Sequence, residues 1–297
     1  MSEQGKQRWR LAPTPSGYLH IGNVYNLLLN WLWARANGGG VFLRLDDLDA
    51  GRIRSQYVED IFRVLDFLGL DWDLGPTGPD DFAQNWSQQL RLDAYESLLC
   101  RLREKDCVFA CTCSRSQLEG TGGLYPGYCE RLGLDLDSPD CSWRLRITHT
   151  EDIRFQDRLL GEVALNPAEA FGSFVVKRRD GLAAYQLASL ADDMQYGISH
   201  IARGMDLLPA TGMQLYLSET LGLPNFHNTV FLHHDLLLEQ GRKLSKSAGS
   251  QSVSLLQSHD ASSLFQGFAN WWGYTDFESH GGLAGLLDIA RQDQRLR

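Results

Sequence analysis

The sequence predicts an α/β fold built around a parallel β-sheet. Two short apolar segments, residues 8–11 and 41–45, have the length of strands, and a helical repeat of apolar side chains over residues 23–37 separates them. A strand, a helix and a second strand in close succession are typical of a parallel βαβ unit, because parallel neighbours need a crossover connection. Ligands of such sheets bind beyond the carboxyl ends of the strands.

Proline and glycine residues limit these elements. Pro13, Pro15 and Gly17 form a turn after the first strand, and three consecutive glycines, residues 38–40, end the first helix. Apolar spacing predicts further helices at residues 57–68, 89–105 and 207–221, and a helical or mixed segment at 183–193. Further strands are predicted at residues 141–147, 172–178 and 198–203.

Composition narrows the class of protein. A chain of 297 residues can form one large domain or two linked domains. It contains no uninterrupted apolar span, and its N-terminus lacks the apolar core of a signal peptide, so we expect a cytoplasmic protein with no membrane partner. The net charge of -9 argues against a general nucleic-acid coat, although a local basic face could still bind RNA. In such a chain the six cysteines are expected to be thiols or metal ligands.

The segment RLAPTPSGYLHIGN, residues 10–23, has the features of a phosphate-binding site. A turn of small residues leads into a helix N-terminus, where unpaired backbone N–H groups attract anions. Neither the Walker A pattern nor the dinucleotide-binding G-x-G-x-x-G pattern is present. His20 at the mouth of the helix could donate to a phosphate oxygen. The alternative is a capped helix with a surface histidine.

A second segment, GRKLSKSAG at residues 241–249, is rich in basic residues. Arg242, Lys243 and Lys246 alternate with serines between two glycines, a composition suited to clamping a polyphosphate. The alternative is a solvated basic loop.

Together and in this order, HIGN and KLSKS resemble the HIGH and KMSKS motifs of class I aminoacyl-tRNA synthetases. RLAPTPSGYLHIG, FLRLDDLD and the block at residues 180–211 are similar to the glutamyl/glutaminyl branch of that class. The resemblance runs from Arg8 to Ser247. It implies a Rossmann-like parallel sheet and activation of an amino acid by ATP.

Three cysteines and a tyrosine form a candidate metal site. Cys111, Cys113, Tyr125 and Cys129 follow the pattern C-x-C-x11-Y-x3-C, and three thiolates with one phenolate can bind zinc tetrahedrally. The alternative is a group of buried thiols beside an unrelated tyrosine. The spacing resembles that of glutamyl-queuosine tRNA(Asp) synthetases. Other candidate ligands are Tyr128, Cys107 and Cys141.

That family is a truncated branch of the glutamyl-tRNA synthetases, and the resemblance implies its organisation. Only fifty residues follow Ser247, so we expect no anticodon-binding domain. The expected Rossmann-like catalytic domain comprises residues 1–90 and 185–225. An inserted zinc-containing α+β subdomain of the acceptor type comprises residues 91–184. The KLSKS loop region and the C-terminal tail make up residues 226–297.

The resemblance also implies the reaction, its partners and the roles of single residues. The expected enzyme is an ATP-dependent ligase that forms glutamyl-adenylate and transfers glutamate to the queuosine base of tRNA(Asp). ATP would act with Mg²⁺, Zn²⁺ would be structural, and the protein is expected to be a monomer. The glutamate-binding residues would be Arg10, Leu11, Ala12, Pro13, Thr14, Asp46, Tyr185 and Arg203. The ATP-binding residues would be His20, Gly22 and Lys246. The catalytic residues would be His20, Asn23, Lys243 and Lys246.

Two departures from the family pattern leave alternatives open. Asn23 replaces the second histidine of HIGH, and Asp46 stands where the family usually has glutamate. The chain could therefore be a glutamyl-tRNA synthetase-like ligase that charges a different acceptor, or a ligase for another amino acid. It could also be a non-catalytic nucleotide- or tRNA-binding paralogue, although an intact KLSKS motif argues against that class.

Overall fold

The computed structural model describes residues 7–114, 116–119, 121, 124–149, 151–239, 242–243 and 259–297. The helices are α1 (Ile21–Ala36), α2 (Ser55–Leu68), α3 (Pro79–Asp81), α4 (Leu92–Glu104), α5 (Pro167–Ala170), α6 (Tyr185–Gln195), α7 (Leu208–Leu221), α8 (Ala261–Trp272) and α9 (Gly282–Ala290). The strands are β1 (Arg8–Leu11), β2 (Gly40–Leu43), β3 (Val108–Cys111), β4 (Ser142–Leu145), β5 (Ile153–Asp157), β6 (Gly161–Leu165), β7 (Phe174–Lys177), β8 (His200–Gly204), β9 (Val230–His234), β10 (Leu238–Glu239) and β11 (Arg242–Lys243).

Internal packing divides these residues into two units. The first unit contains the described residues of Met1–Leu90, Ile198–Met205 and Val230–Arg297, and the second contains those of Arg91–Gly197 and Asp206–Thr229. The domain boundaries expected from the sequence stay a prediction, since a packing unit need not coincide with an insertion in a family fold.

The first unit is built on four parallel strands in the order β2-β1-β8-β9. β1 pairs with β2 along its whole length, from Arg8↔Gly40 to Leu11↔Leu43, and α1 makes the crossover between them. The predicted βαβ unit and the predicted α/β class with a parallel sheet are therefore confirmed. Gly39 permits the tight return into β2, because a Cβ there would lie only 2.0 Å from the Trp9 ring.

The core of the first unit surrounds α1. This helix buries ten of its residues, far more than the single apolar stripe of a surface helix. One side of α1 packs on β1 and β8, and other contacts are made by α8 and α9. Tyr25 of α1 meets Phe268 and Trp271 of α8 at ring-centroid distances of 5.8 and 5.5 Å. The described part of the C-terminal tail thus completes the core around the central helix.

The second unit combines antiparallel strands with helices. β3, β4 and β7 form an antiparallel sheet in the order β3-β4-β7, and β5 and β6 form a hairpin with Ile153↔Leu165 and Asp157↔Gly161 in register. Helices α4, α6 and α7 pack on one another. Between α4 and α6, the fully buried Asp192 accepts hydrogen bonds from Arg91 Nε at 2.9 Å and Tyr95 Oη at 2.8 Å.

Within the described residues, no helix has both the length and the apolar character needed to cross a membrane.

Candidate active site and metal centre

The strand order of the first unit predicts a ligand-binding crevice between β1 and β8. From β1 the chain crosses outward to β2 on one side, and from β8 it crosses outward to β9 on the other side. The direction of winding therefore reverses between β1 and β8. Ligands of open α/β sheets bind outside the carboxyl ends of the strands at such a point.

The side chain of Asn30 in α1 hydrogen-bonds to β8 beside this point. β1 and β8 pair at Trp9↔His200. Two residues further along β8, Asn30 Oδ1 accepts from the Ala202 N–H at 3.0 Å, and Asn30 Nδ2 donates to the Ala202 carbonyl at 3.1 Å. These are the backbone groups that a neighbouring strand would otherwise satisfy. A side-chain amide therefore takes the place of a strand partner as the sheet approaches the site.

A second asparagine of α1 extends this polar contact to β9. Asn26 Nδ2 donates to the Ala202 carbonyl at 3.2 Å and lies 2.9 Å from Nε2 of His234, the last residue of β9. His234 Nδ1 lies 2.9 Å from the Asp235 carbonyl. Together these contacts indicate the tautomer in which Nδ1 carries the proton and Nε2 accepts from the amide.

A capping box starts α1, the helix that follows the loop after β1. His20 is the N-cap residue; its Nδ1 accepts from the Asn23 N–H at 3.3 Å, and Asn23 Oδ1 accepts from the His20 N–H at 3.2 Å. Because Nδ1 is an acceptor, the proton of the neutral His20 ring lies on Nε2. Gly22 makes room for this ring, since a Cβ there would lie 3.1 Å from both His20 Cε1 and Nδ1.

The loop after β1 is fixed to the end of β2. Leu11 and Pro13 offer their carbonyl oxygens to the N–H groups of Arg44 and Asp46 at 2.8 and 3.0 Å. Arg44 Nε also donates to Asp46 Oδ1 at 2.6 Å, and the Arg44 side chain is 1% exposed. Arg44 therefore orients the carboxylate of Asp46. Sequence reasoning missed this role, although a charged residue inside the apolar run FLRL was a visible signal.

The neighbouring Asp47 has a structural role. Its carboxylate is buried and accepts from Ser87 Oγ at 2.5 Å and from the Gln88 N–H at 2.7 Å. Gln88 Oε1 in turn accepts from the Leu48 N–H at 2.9 Å. Asp47 thus anchors the acidic run to the rest of the first unit.

Two buried arginines lie on the strands that flank the crevice. Arg10 is in β1, and Arg203 is next to the last residue of β8, with its guanidinium 5.3 Å from the centroid of the Phe231 ring. Thr14 is exposed in the loop after β1. The first unit thus carries these predicted site residues on carboxyl ends of its strands or in the segments that follow them: Arg10, Leu11, Ala12, Pro13, Thr14, His20, Gly22, Asn23, Asp46 and Arg203.

The remaining predicted residues lie elsewhere. Tyr185 begins α6 in the second unit and is 38% exposed. Lys243 belongs to β11, of which the backbone is described. Lys246 lies outside the described residues.

The second unit brings the predicted metal ligands together. The Sγ atoms of Cys111, Cys113 and Cys129 all lie within 4.8 Å of one another, and Cys113 and Cys129 are 3.5 Å apart. Tyr125 Oη is 3.5 Å from Cys111 Sγ and 3.8 Å from Cys113 Sγ. Zinc–sulfur bonds of about 2.3 Å place tetrahedral ligands just under 4 Å apart. The donor set and its spacing therefore fit a tetrahedral metal ion.

Neighbouring groups shift the pKa values of two thiols of this cluster in opposite directions. Burial opposes ionisation of Cys129, but hydrogen bonds with Tyr125, Thr112 and Cys113 outweigh it and lower the pKa of Cys129 to about 6. Burial and the hydrogen bond with Cys129 raise the pKa of Cys113 to about 11. One thiol thus ionises before another, as expected of closely spaced acids.

Comparison with known proteins agrees with this architecture. A family model described as the catalytic domain of class I tRNA synthetases (E and Q) matches residues 6–123 and 135–270. The chain belongs to this family, and the predicted class of ATP-dependent ligase is confirmed.

Curated relatives share a more specific name. A protein of Pseudomonas fluorescens named glutamyl-Q tRNA(Asp) synthetase is 44% identical over 82% of this chain and 78% of its own length. A protein of the same name from Pseudomonas syringae pv. syringae is 43% identical over 80% of this chain and 76% of its own length. The crystal structure of glutamate-tRNA synthetase from Elizabethkingia anophelis is similar with a TM-score of 0.68 and 26% identity, over 81% of this chain. The chain spans about half, 52%, of that structure.

Proposed function

We propose that the chain activates L-glutamate with ATP and transfers the glutamyl group from the adenylate to the queuosine base of tRNA(Asp). The observation that supports this proposal is that Arg10 lies in β1, Arg203 in β8 and His20 at the start of α1, next to the reversal of strand order between β1 and β8, in a chain whose curated relatives bear the name glutamyl-Q tRNA(Asp) synthetase.

Glutamate has two carboxylates and one ammonium group, and the crevice offers matching charges. Arg10 would pair with the side-chain carboxylate in the bidentate manner of a guanidinium, and Arg203 would lie on the opposite flank. Asp46 would receive the ammonium. Its carboxylate already accepts from Arg44, but an ionised carboxylate has lone pairs for several donors. Thr14 would complete the recognition of glutamate within the first unit, and the role of Tyr185 stays what the family resemblance implies.

ATP would bind with its phosphates at the start of α1. The helix N-terminus offers positive dipole and N–H groups. The Nε2–H of His20 would donate to a phosphate oxygen, and Gly22 would let the ring lie close to the backbone. Lys246, aided by Lys243, would stabilise the charge that develops as pyrophosphate leaves. Magnesium would share that charge when bound. The substrate carboxylate is the nucleophile, so catalysis consists mainly of positioning and electrostatics.

Zinc is the metal best suited to the cysteine cluster. Cys111, Cys113, Cys129 and Tyr125 would form a closed four-ligand set, which is typical of structural rather than catalytic zinc. The ion would hold the loop after β3 in one conformation.

The first experiment is ATP–pyrophosphate exchange with a panel of amino acids. We expect exchange with glutamate and little with glutamine, because a guanidinium such as that of Arg10 pairs bidentately with a carboxylate and not with a neutral carboxamide. Absence of exchange with every amino acid would leave the non-catalytic paralogue as the better reading.

A second experiment identifies the acceptor. Labelled glutamate is expected to enter tRNA(Asp) from queuosine-containing cells, and tRNA(Asp) from queuosine-deficient cells serves as the control. Removal of the 3′-terminal adenosine should not reduce the label. Loss of the label on that treatment would point to an enzyme that charges the 3′ end of tRNA.

A further inference from the structure

Arg144 of β4 contacts two of the four candidate metal ligands. Its Nε donates to Cys111 Sγ at 3.3 Å, and its guanidinium carbon lies 4.0 Å from the centroid of the Tyr125 ring. Its Nη1 donates to the Ser173 carbonyl at 2.9 Å. The residue is only 9% exposed. A buried cation is therefore held from several directions against a ligand sulfur and a ligand ring.

The negative charge of the ligand set explains why a cation beside it would be stabilising. A divalent ion bound by several thiolates and a phenolate forms a centre with excess negative charge. Burying such a centre costs free energy unless an opposite charge lies close by. A guanidinium that donates to a sulfur and covers the aromatic face supplies that charge where the excess arises.

Other arginines near the cluster make different contacts. The Arg179 side chain donates to backbone carbonyls, including that of Cys113 at 2.6 Å, so it orders the loop. The Arg146 guanidinium lies 5.4 Å from the Phe109 ring and pairs with Glu130 at 3.5 Å. The contact of Arg144 is to ligand groups themselves.

We propose that Arg144 is the outer counter-charge of the metal centre: it compensates the negative ligand set and fixes Cys111 and Tyr125 in ligating positions. This inference rests on the zinc site proposed above. Arg144 is a positioning residue, and its function is to retain the metal.

The test compares zinc affinity in the full-length protein, measured by competition with a chromophoric chelator. We expect Arg144→Gln to weaken zinc binding about 10–100-fold, as is common when a partner of a metal ligand is removed. Arg144→Lys keeps the charge and should fall between this variant and the wild type. Arg103→Gln is the control, because Arg103 also combines an ion pair, with Asp137, and a ring contact, with Trp143, and neither partner is a candidate metal ligand.

A second readout separates this role from general support of the fold. In cobalt-substituted protein, Arg144→Gln and Arg144→Lys should shift the thiolate-to-cobalt charge-transfer band, since a hydrogen bond to a ligand sulfur is lost or altered, whereas Arg103→Gln should not. If the wild-type protein binds zinc and the Arg144 variants match its zinc affinity within about twofold and its cobalt spectrum, the inference about Arg144 is overturned while the zinc site stands. Wild-type protein that binds no zinc would overturn the zinc site and the inference together.

Discussion

Replacement of Asn23 tests whether the atypical residue of the HIGN motif acts on the helix or on ATP. In the structure Asn23 Oδ1 accepts from the His20 N–H at 3.2 Å, and the Asn23 N–H fixes the His20 ring. Asn23→Ala removes the first of these bonds and keeps the second. One such bond contributes about 1 kcal/mol. If that energy positions His20 in the transition state, the rate of activation falls about fivefold.

A direct contact with ATP predicts a much larger effect. Removing a donor aimed at transition-state charge costs about 100- to 1,000-fold in rate. The assay is therefore ATP–pyrophosphate exchange with glutamate, run beside urea denaturation. We expect Asn23→Ala to lower the free energy of unfolding by about 1 kcal/mol and the rate of exchange by about fivefold. A loss of more than about 100-fold in exchange, with an unchanged urea midpoint, would refute the capping interpretation.

Asn23→Asp separates the two roles further. Aspartate keeps an acceptor for the His20 N–H, and its charge at a helix N-terminus is favourable by about 0.3–1 kcal/mol. The same charge repels the phosphates of ATP. We therefore expect stability to hold or rise while the KM for ATP increases. Asn37→Ala is the control at the far end of α1, where Asn37 Nδ2 donates to the carbonyls of Trp33 and Leu296 at 2.8 and 2.6 Å; it should lower stability and leave exchange unchanged.

Three further changes have defined outcomes. Asp192→Asn leaves the buried charge of Arg91 uncompensated and should lower the free energy of unfolding by about 3–5 kcal/mol in urea denaturation. A loss below about 1 kcal/mol would contradict a stabilising role for this ion pair. Burial alone would raise the pKa of Asp293, but hydrogen bonds, led by those from Arg295, lower this pKa below its ordinary value. The ionised carboxylate therefore stabilises the fold above the unfolded pKa of about 4, and this stabilisation is lost as the pH falls through the lower folded pKa. Asp293→Asn should therefore be less stable than the wild type at pH 7, with the gap narrowing below about pH 4; a gap independent of pH would refute this. Gly22→Ala forces a Cβ against the ring of the capping histidine and should reduce exchange on the order of tenfold without lowering the melting temperature.

The elements that sequence reasoning located are those defined by neighbouring residues. The helix predicted at residues 23–37 is α1, Ile21–Ala36, since its apolar spacing and the glycines after it are local signals. The helix predicted at residues 89–105 begins as α4 only at Leu92. Such differences of a few residues are usual at helix ends, where capping contacts decide the limit.

Two missed features had signals of different strength. Strand β5 of the β5–β6 hairpin alternates in burial, with Ile153 and Phe155 inside and Arg154 and Gln156 outside, a period of two that the sequence does display. Strand β9 was harder to predict, because its run VFLHH ends in two histidines. Its pairing is with β8, about thirty residues earlier, and parallel pairing leaves no turn motif between the partners.

The metal site likewise combines residues that are close in sequence with one that only the fold brings near. Cys111, Cys113, Tyr125 and Cys129 lie within one short stretch, so their spacing could suggest a site before the fold was known. Arg144 belongs to the same cluster only because β4 pairs antiparallel with β3, which sets Ser142 opposite Cys111 and brings the arginine to the thiols. No spacing rule for zinc ligands includes such a residue, since outer contacts come from whichever element the fold places there.

Asn30 illustrates why the crevice itself was hidden in the sequence. An asparagine in the middle of an apolar helix is locally unfavourable, because it is a weak helix former and a polar group that must be satisfied when buried. Its partner is the backbone of Ala202, 172 residues later, so nothing near Asn30 in the sequence explains it. The cost is offset because the amide satisfies a strand edge that would otherwise lack partners beside an opening in the sheet. A polar residue that conflicts with its own helix is therefore a signal in itself: it indicates a distant backbone group in need of a partner, and here that group lies beside the site.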